Sequence, residues 1–477
     1  MKRYIAVVLV LALLAIGSFC MVGGVVSQET ENVTIRENIR FGDKSYAEGL
    51  TVFTKSHYDD HLFWHTSYTI GEDPHISTDY EFYYAEHYEQ EPRIHQGLVL
   101  DPGFEYGFNM KIPADECVGL QKAYHELYDE TPEGSRGTKM IRLQDYYDYY
   151  PVRVFSMDFP GIRWQGHDYE GLAADAYKDE RAVWDKFNDF FKIPIPEDLP
   201  AFEISITKQG NSVGIGSEGH DNDYYFSVRD TYTESRVFFS ICNFIFGDRG
   251  TQYLDMSLIP GVYGLYSFTY KAVANADNTH RSTPLYYETG IDVDSLSMVY
   301  PLEQHAEVIY LTTDDDESKL YMLTKEYGVT YLTVIEIASM TALQKIEITD
   351  APHFTVYEYD TCLVLLGWES ISVIEKQADG LCRLAFTVPR MKEVNDANFQ
   401  KGVATVMAFD GEKLAIVDRT GDGVYPSLEL CGFTVAVYDS TGLVYYGEYE
   451  NSLSTATSAY DYAFNCLPIE YEVWWED

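Results

Sequence analysis

The chain has 477 residues, 46% of them hydrophobic and 23% charged, with 34 basic against 76 acidic side chains and a formal net charge of −42. That composition is globular and excludes collagen-like sequence and general disorder. So acidic a chain also weighs against a nucleic-acid partner and against adsorption to anionic lipid, both of which need clustered Lys and Arg.

Lys2 and Arg3 precede an uninterrupted apolar run over residues 4–16, and the chain stays largely apolar to Val26. This is an export segment. It reads either as a signal peptide of residues 1–27, with Val25 and Ser27 at −3 and −1, or as an uncleaved membrane anchor, since residues 4–26 exceed the roughly 20 needed to span a bilayer. A lipoprotein reading of Cys20 is disfavoured by bulky Phe19 before it. Either way residues 28–477 are placed outside the membrane, secreted or held there by residues 4–26. Length alone allows two to four domains, although closed all-β folds use more chain for one.

Leu50-Thr51-Val52-Phe53 opens the exported part as a strand. Six of the twelve histidines follow: His57, His61, His65, His75, His87 and His95. On a helix His57, His61 and His65 would line one face and could hold Zn²⁺ near Asp60. The surrounding Tyr58, Leu62, Phe63, Trp64 and Tyr68 favour strand or loop, where such steps span too far for one ion. A helix is expected over residues 114–128, and the tyrosine-rich stretch from Asp145 to Pro151 falls between strands. A second helix is expected over residues 171–191, where Ala173, Tyr177, Val183, Trp184, Phe187 and Phe191 share a face and Pro194 and Pro196 end it. Both helices read as insertions between strands, packed outside the sheets. Strands resume at Phe202–Ile206, Tyr224–Val228, Val237–Ile241 and Tyr263–Phe268. Gly214, Gly216 and Gly219 formally satisfy GxGxxG, but His220-Asp221-Asn222-Asp223 follows where dinucleotide binding needs a helix N-terminus, so a hairpin turn is expected.

From about residue 308 a repeat of four short apolar runs can be written out. The first unit has Val308–Leu311, Leu320–Leu323, Leu332–Glu336 and Ile346–Ile348. The second has Phe354–Tyr357, Leu363–Leu366, Ile371–Glu375 and Leu384–Val388. The third has Val403–Met407, Leu414–Val417, Phe433–Asp439 and Val444–Tyr446. Asp314 to Ser318, Asp379-Gly380, Asp410-Gly411 and Ser440-Thr441-Gly442 separate the runs as hairpin turns. Four strands per roughly 40–50 residues is the period of a propeller blade, whose two apolar faces only neighbouring blades can cover.

The longer second hairpin of the third unit carries Asp418-Arg419-Thr420-Gly421-Asp422-Gly423 and then Glu429. Laid on the calcium-loop template D-x-[DN]-x-[DN]-G-x5-E, it places Asp418, Thr420, Asp422 and Glu429 as candidate Ca²⁺ ligands, with Gly423 at the sharp turn. Thr420 departs from the template, Pro426 occupies the ninth position and no helices flank the loop, so a polar hairpin tip is the competing reading. Outside the export segment six cysteines remain, Cys117, Cys242, Cys362, Cys382, Cys431 and Cys466, at wide spacing without CxxC, and most read as buried small hydrophobes. No HExxH or Walker sequence occurs.

The repeat resembles the β-propeller architecture and exported bacterial proteins built on it, without a Trp-Asp, kelch or YVTN blade signature. The resemblance implies an all-β fold, a β-propeller of about seven or eight four-stranded blades over residues 28–477, with one or two helical insertions, the main one at about 168–192. It implies no activity. The function expected is a non-catalytic binding or scaffold module, extracellular or membrane-tethered, with calcium as a structural ion. Its partner would be a protein, peptide or glycan of the cell envelope, its 41 tyrosines and 6 tryptophans offering flat rings for stacking. The alternative is an extracellular propeller enzyme acting on glycans, a glycoside hydrolase or lyase using two converging carboxylates.

Overall fold

A computed structural model describes residues 2–58, 62–82, 97–101, 113–159, 162–165, 174–195, 197, 201–210, 212–218, 225–246, 252–253, 263–272, 289–303, 306–391, 405–419, 431–452 and 470–476. The chain forms two compact units, Met1–Glu91 with Ala351–Asp477, and Pro92–Asp350. Among the described residues there are seven antiparallel sheets, five of them with four or more strands. The fold class is all-β, of the propeller kind, as the repeat implies.

The first unit begins with α1 (Lys2–Thr30), β1 (Ile35–Gly42), β2 (Leu50–Tyr58), β3 (Leu62–Thr69) and β4 (His75–Phe82). The second contains β5 (Gly97–Asp101), α2 (Gly119–Glu130), β6 (Arg136–Ile141), β7 (Arg153–Phe159), β8 (Ile162–Gln165), α3 (Ala174–Phe191), β9 (Phe202–Gln209) and β10 (Ser212–Glu218). It continues with β11 (Tyr225–Tyr232), β12 (Arg236–Phe246), β13 (Gln252–Tyr253), β14 (Gly264–Ala272), β15 (Thr289–Pro301), β16 (Ala306–Thr313), β17 (Lys319–Glu326), β18 (Val329–Glu336) and β19 (Thr341–Thr349). The chain then re-enters the first unit through β20 (Phe354–Glu358), β21 (Cys362–Gly367), β22 (Ser370–Lys376), β23 (Cys382–Pro389), β24 (Thr405–Phe409), β25 (Leu414–Arg419), β26 (Cys431–Asp439), β27 (Gly442–Asn451) and β28 (Glu470–Trp475).

The three sequence repeats are three meanders, β16–β19, β20–β23 and β24–β27. Their turns use the expected chemistry. Asp314 Oδ1 accepts the Ser318 and Lys319 amides, Asp410 Oδ1 those of Glu412 and Lys413, and Asp439 Oδ1 that of Thr441. Gly380, Gly411 and Gly442 take φ of 75°, 99° and 122°, where a side chain would be strained.

Period-two alternation divides each blade between two cores. In β25, Leu414 and Ile416 pack with Val364, Leu366 and Val373 of the preceding sheet, while Ala415 and Val417 pack with Leu50, Val52 and Tyr68 of the sheet carrying β2 and β3. The second unit repeats the device: Phe238 and Leu265 join Val308, Leu320 and Met322, whereas Phe239, Tyr266 and Phe268 face the opposite core. With both faces covered, strands read as continuous apolar runs, and Leu363-Val364-Leu365-Leu366 is buried throughout.

Two features depart from a simple run of blades. Strands β5, β7 and β8 form one sheet and β10, β9 and β6 another, so β6 leaves the first to edge the second. Both chain ends are exchanged within the first unit: β1 adds a fifth strand to β27, and β28 forms the edge beside β2.

The helices occupy the places expected in the sequence, α2 against β6 and β9 of one sheet and α3 against β7 and β15 of two. Val183, Trp184, Phe187 and Phe191 of α3 are buried in one core with Phe239, Tyr266 and Phe268. Phe187 stacks on Phe239 at 6.1 Å and Phe191 meets Tyr266 edge-on at 5.0 Å, because a face this aromatic gains most between sheets. The tyrosine stretch lies between β6 and β7 and pins α2: Tyr147 Oη accepts the Leu120 amide at 3.0 Å, and Tyr146 Oη donates to Glu126 at 3.1 Å.

Candidate functional site

Of the candidate calcium ligands, Asp418 is described; Thr420, Asp422 and Glu429 lie outside the described residues. Asp418 is the last residue but one of β25 and is buried on the strand face that Leu414 and Ile416 turn toward the β20–β23 sheet. Its Oδ1 accepts the Thr405 hydroxyl at 2.6 Å. Burial pushes its carboxyl above the usual range, against the pull of the Thr405 hydroxyl and the Arg390 charge. Arg390 is itself buried and donates to the Gly367 carbonyl at 3.1 Å. A cation drawing on Asp418 would use its other oxygen or displace Thr405, and would meet the Arg390 charge nearby.

His57 falls in β2 and His65 in β3, with Lys55 opposite His65, so their spacing belongs to two antiparallel strands and not to one helix face. The His65 ring lies 5.9 Å from that of Phe53. His61, His87 and His95 lie outside the described residues. Gly214 and Gly216 sit inside β10, opposite Thr207 and Ser205, and not in the turn expected for them, while Gly219 lies outside the described residues. The glycine at 216 leaves room beside the Ser205 hydroxyl, and its carbonyl accepts Tyr124 Oη of α2 at 3.2 Å. Cys117, Cys362 and Cys382 are buried, and burial pushes the Cys362 and Cys382 thiols up to about 11, which suppresses the reactive thiolate. Cys466 lies outside the described residues.

The carboxylates that sequence could not sort are now placed, and several link neighbouring strands. On β11, Arg229 donates to the Ile309 carbonyl of β16 at 3.0 Å while adjacent Asp230 accepts the Leu98 amide of β5 at 2.9 Å. One strand thus brackets both neighbours. Glu317, in the β16–β17 turn, accepts the Glu234 amide with both oxygens at 2.9 and 3.0 Å. In the first unit, Glu37 Oε1 accepts Tyr445 Oη at 3.1 Å and Tyr449 Oη at 3.2 Å, while Lys44 bonds its other oxygen.

Two aromatic side chains stand out at hairpin tips that neither periodicity nor composition singled out. Tyr327 and Gly328 form the two-residue β17–β18 turn with φ of 51° and 87°, and Tyr327 is 83% exposed. Trp368 occupies the β21–β22 tip, the same position in the next repeat, and is 46% exposed. A turn with two positive φ values favours Asn-Gly or Asp-Gly, so tyrosine is a costly choice for the backbone. A bulky residue between two strands of regular register is the signal that sequence offered for it.

No known family and no curated protein matches the chain. Among solved structures it is similar to a putative 6-phosphogluconolactonase from Bacteroides fragilis, at 9% identity over 84% of this chain and 95% of that one, with a TM-score of 0.28. The β-propeller domain of Cps50 (Swd1) from Myceliophteria thermophila matches at 9% identity over 51% of this chain and 69% of that one, TM-score 0.21. Hsv2 from Kluyvelomyces marxianus matches at 10% over 46% and 63%, TM-score 0.20. The propeller class rests on the strand order of the sheets themselves.

Proposed function

We propose that the chain is a non-catalytic binding scaffold, placed outside the membrane, that engages a glycan or peptide of the envelope through aromatic side chains at its hairpin tips. The observation that carries this reading is Tyr327, an 83% exposed ring at a left-handed turn position where asparagine or glycine would relieve the backbone. A flat amphipathic ring at an exposed tip stacks well on sugar faces and apolar side chains. Trp368 holds the equivalent tip in the other compact unit and is tested independently. The carboxylates described above link strands, which suits a rigid support.

Affinity retardation of the purified chain by cell-wall fragments and oligosaccharides tests it. The wild type should be retarded, Trp368→Ala should weaken retention about tenfold, and Tyr327→Asn should weaken it while stabilising the fold by about 0.5–1 kcal/mol. Equal retention of all three chains would remove the proposal. Conversion of the bound glycan by the wild type would replace it with the glycan-active enzyme.

A further inference from the structure

Helix α1 touches β4, the edge strand of its sheet. The rings of Phe19 and Phe82 lie 6.5 Å apart, and Tyr80 Oη is 3.5 Å from the Gly23 carbonyl. Tyr80 also meets Phe82 edge-on at 5.6 Å. The helix runs unbroken through Ser27 to Thr30, and its end is tied by Thr30 Oγ1 to the Ser27 carbonyl and Asn32 Nδ2 to the Gln28 carbonyl. Val10, Leu11, Leu14, Phe19, Val22 and Val25 are 52–63% exposed, an apolar surface on more than one side, as lipid requires.

Length sets the level of these contacts. Twenty residues from Tyr4 reach Gly23, and at 1.5 Å per residue they cover the roughly 30 Å hydrocarbon core. Gly23 therefore falls at the outer boundary, and the Tyr80 hydroxyl beside it sits at the headgroup level that tyrosine favours. Phe82 lies against Phe19, about one helical turn deeper. Asp79 and Glu81 on the same strand are exposed and would be repelled by anionic lipid.

We infer that residues 1–27 are retained as an anchor and that the edge of β4 is seated on a neutral phospholipid bilayer, Tyr80 in the headgroup layer and the Phe82 ring just below it. The inference rests on α1 and β4 alone and does not depend on a ligand at Tyr327 or Trp368.

Two measurements on the full chain test it. The protein extracted from membranes should withstand alkaline carbonate washing and show residues 1–27 by intact mass; a mature chain beginning at Gln28 overturns the anchor. In phosphatidylcholine vesicles, a bimane label at Phe82→Cys in a Cys20→Ser background, with the emission of the equally labelled Cys20→Ser chain subtracted, should lose at least half its emission to brominated acyl chains. The same label at His75→Cys, about 23 Å along the strand, should lose little. Equal loss at the two positions, or none at 82, overturns the seat on the bilayer.

Discussion

The carboxylate of Asp230 accepts the backbone amide of Leu98, joining the edge of one sheet to the edge of the next with a single charge-assisted hydrogen bond. The residue before Leu98 has to be glycine for this: Gly97 has φ of 68°, and a Cβ there would stand 2.4 Å from Asp230 Oδ2. Burial pushes the Asp230 carboxyl up to about 6, because desolvation outweighs the Leu98 amide and the Arg229 charge.

The sign of the pH effect follows. The folded chain holds the Asp230 proton more tightly than the unfolded chain, so this group's contribution to stability is fully present below the ordinary carboxyl value of about 4 and is lost as pH rises through about 6. Asp230→Asn keeps an acceptor for Leu98 and removes the charge. Chemical denaturation at pH 4, 5, 6 and 7.5 should show the variant gaining on the wild type across that range, by up to about 2 kcal/mol at the top. A constant difference would refute the assignment.

Glu37 clasps β1 to β27 through Tyr445 and Tyr449, whose hydroxyls are 2.6 Å apart. Burial holds both phenols far above their usual range, so they remain donors at any physiological pH. Glu37→Ala leaves the two hydroxyls only each other, with one proton lacking its acceptor, and should cost about 1–3 kcal/mol, and Tyr449→Phe about 1 kcal/mol. Amide exchange of residues 35–42 should accelerate more than that of β21 and β22, since β1 is held from one side only.

Phe187 is fully buried between Phe191, Phe239 and Phe268. Phe187→Ala should lose about 3–5 kcal/mol by leaving a cavity in a core that cannot collapse onto it. Asp189→Ala, on the same helix with an exposed carboxylate beside Lys192, should change stability by less than about 1 kcal/mol. Thermal melts of the two variants give the comparison.

The calcium reading of Asp418, Thr420, Asp422 and Glu429 makes its own prediction. Millimolar Ca²⁺ should raise the melting temperature of the chain, and Asp422→Ala should abolish the rise. An unchanged melting temperature removes calcium from this loop and leaves Asp418 as the acceptor of Thr405.

How much was legible in the sequence depends on locality. The repeats from Val308 onward could be read strand by strand because each meander pairs neighbours joined by short turns that Asp and Gly announce. The exchange of β6 between sheets could not, because a sequence run carries no record of which distant edge it will meet. Ile35-Arg36-Glu37-Asn38-Ile39-Arg40 is too polar to announce a strand, and it becomes one only against the edge that β27 offers. The α3 stripe was visible as core, but the sheets on either side of it were not. Asp230 was one acid among 76; its distinction comes from the Leu98 amide, 132 positions away.

The exchange of chain ends bears on how the protein is made. The sheet of β2–β4 waits for β28, and the sheet of β24–β27 takes its last strand from the first forty-two residues. Closing either sheet joins strands more than 400 positions apart, which costs loop-closure entropy and slows folding. Two sheets closed by strands so distant in sequence gain their last edge late in folding, and that edge then ties both ends of the unit together.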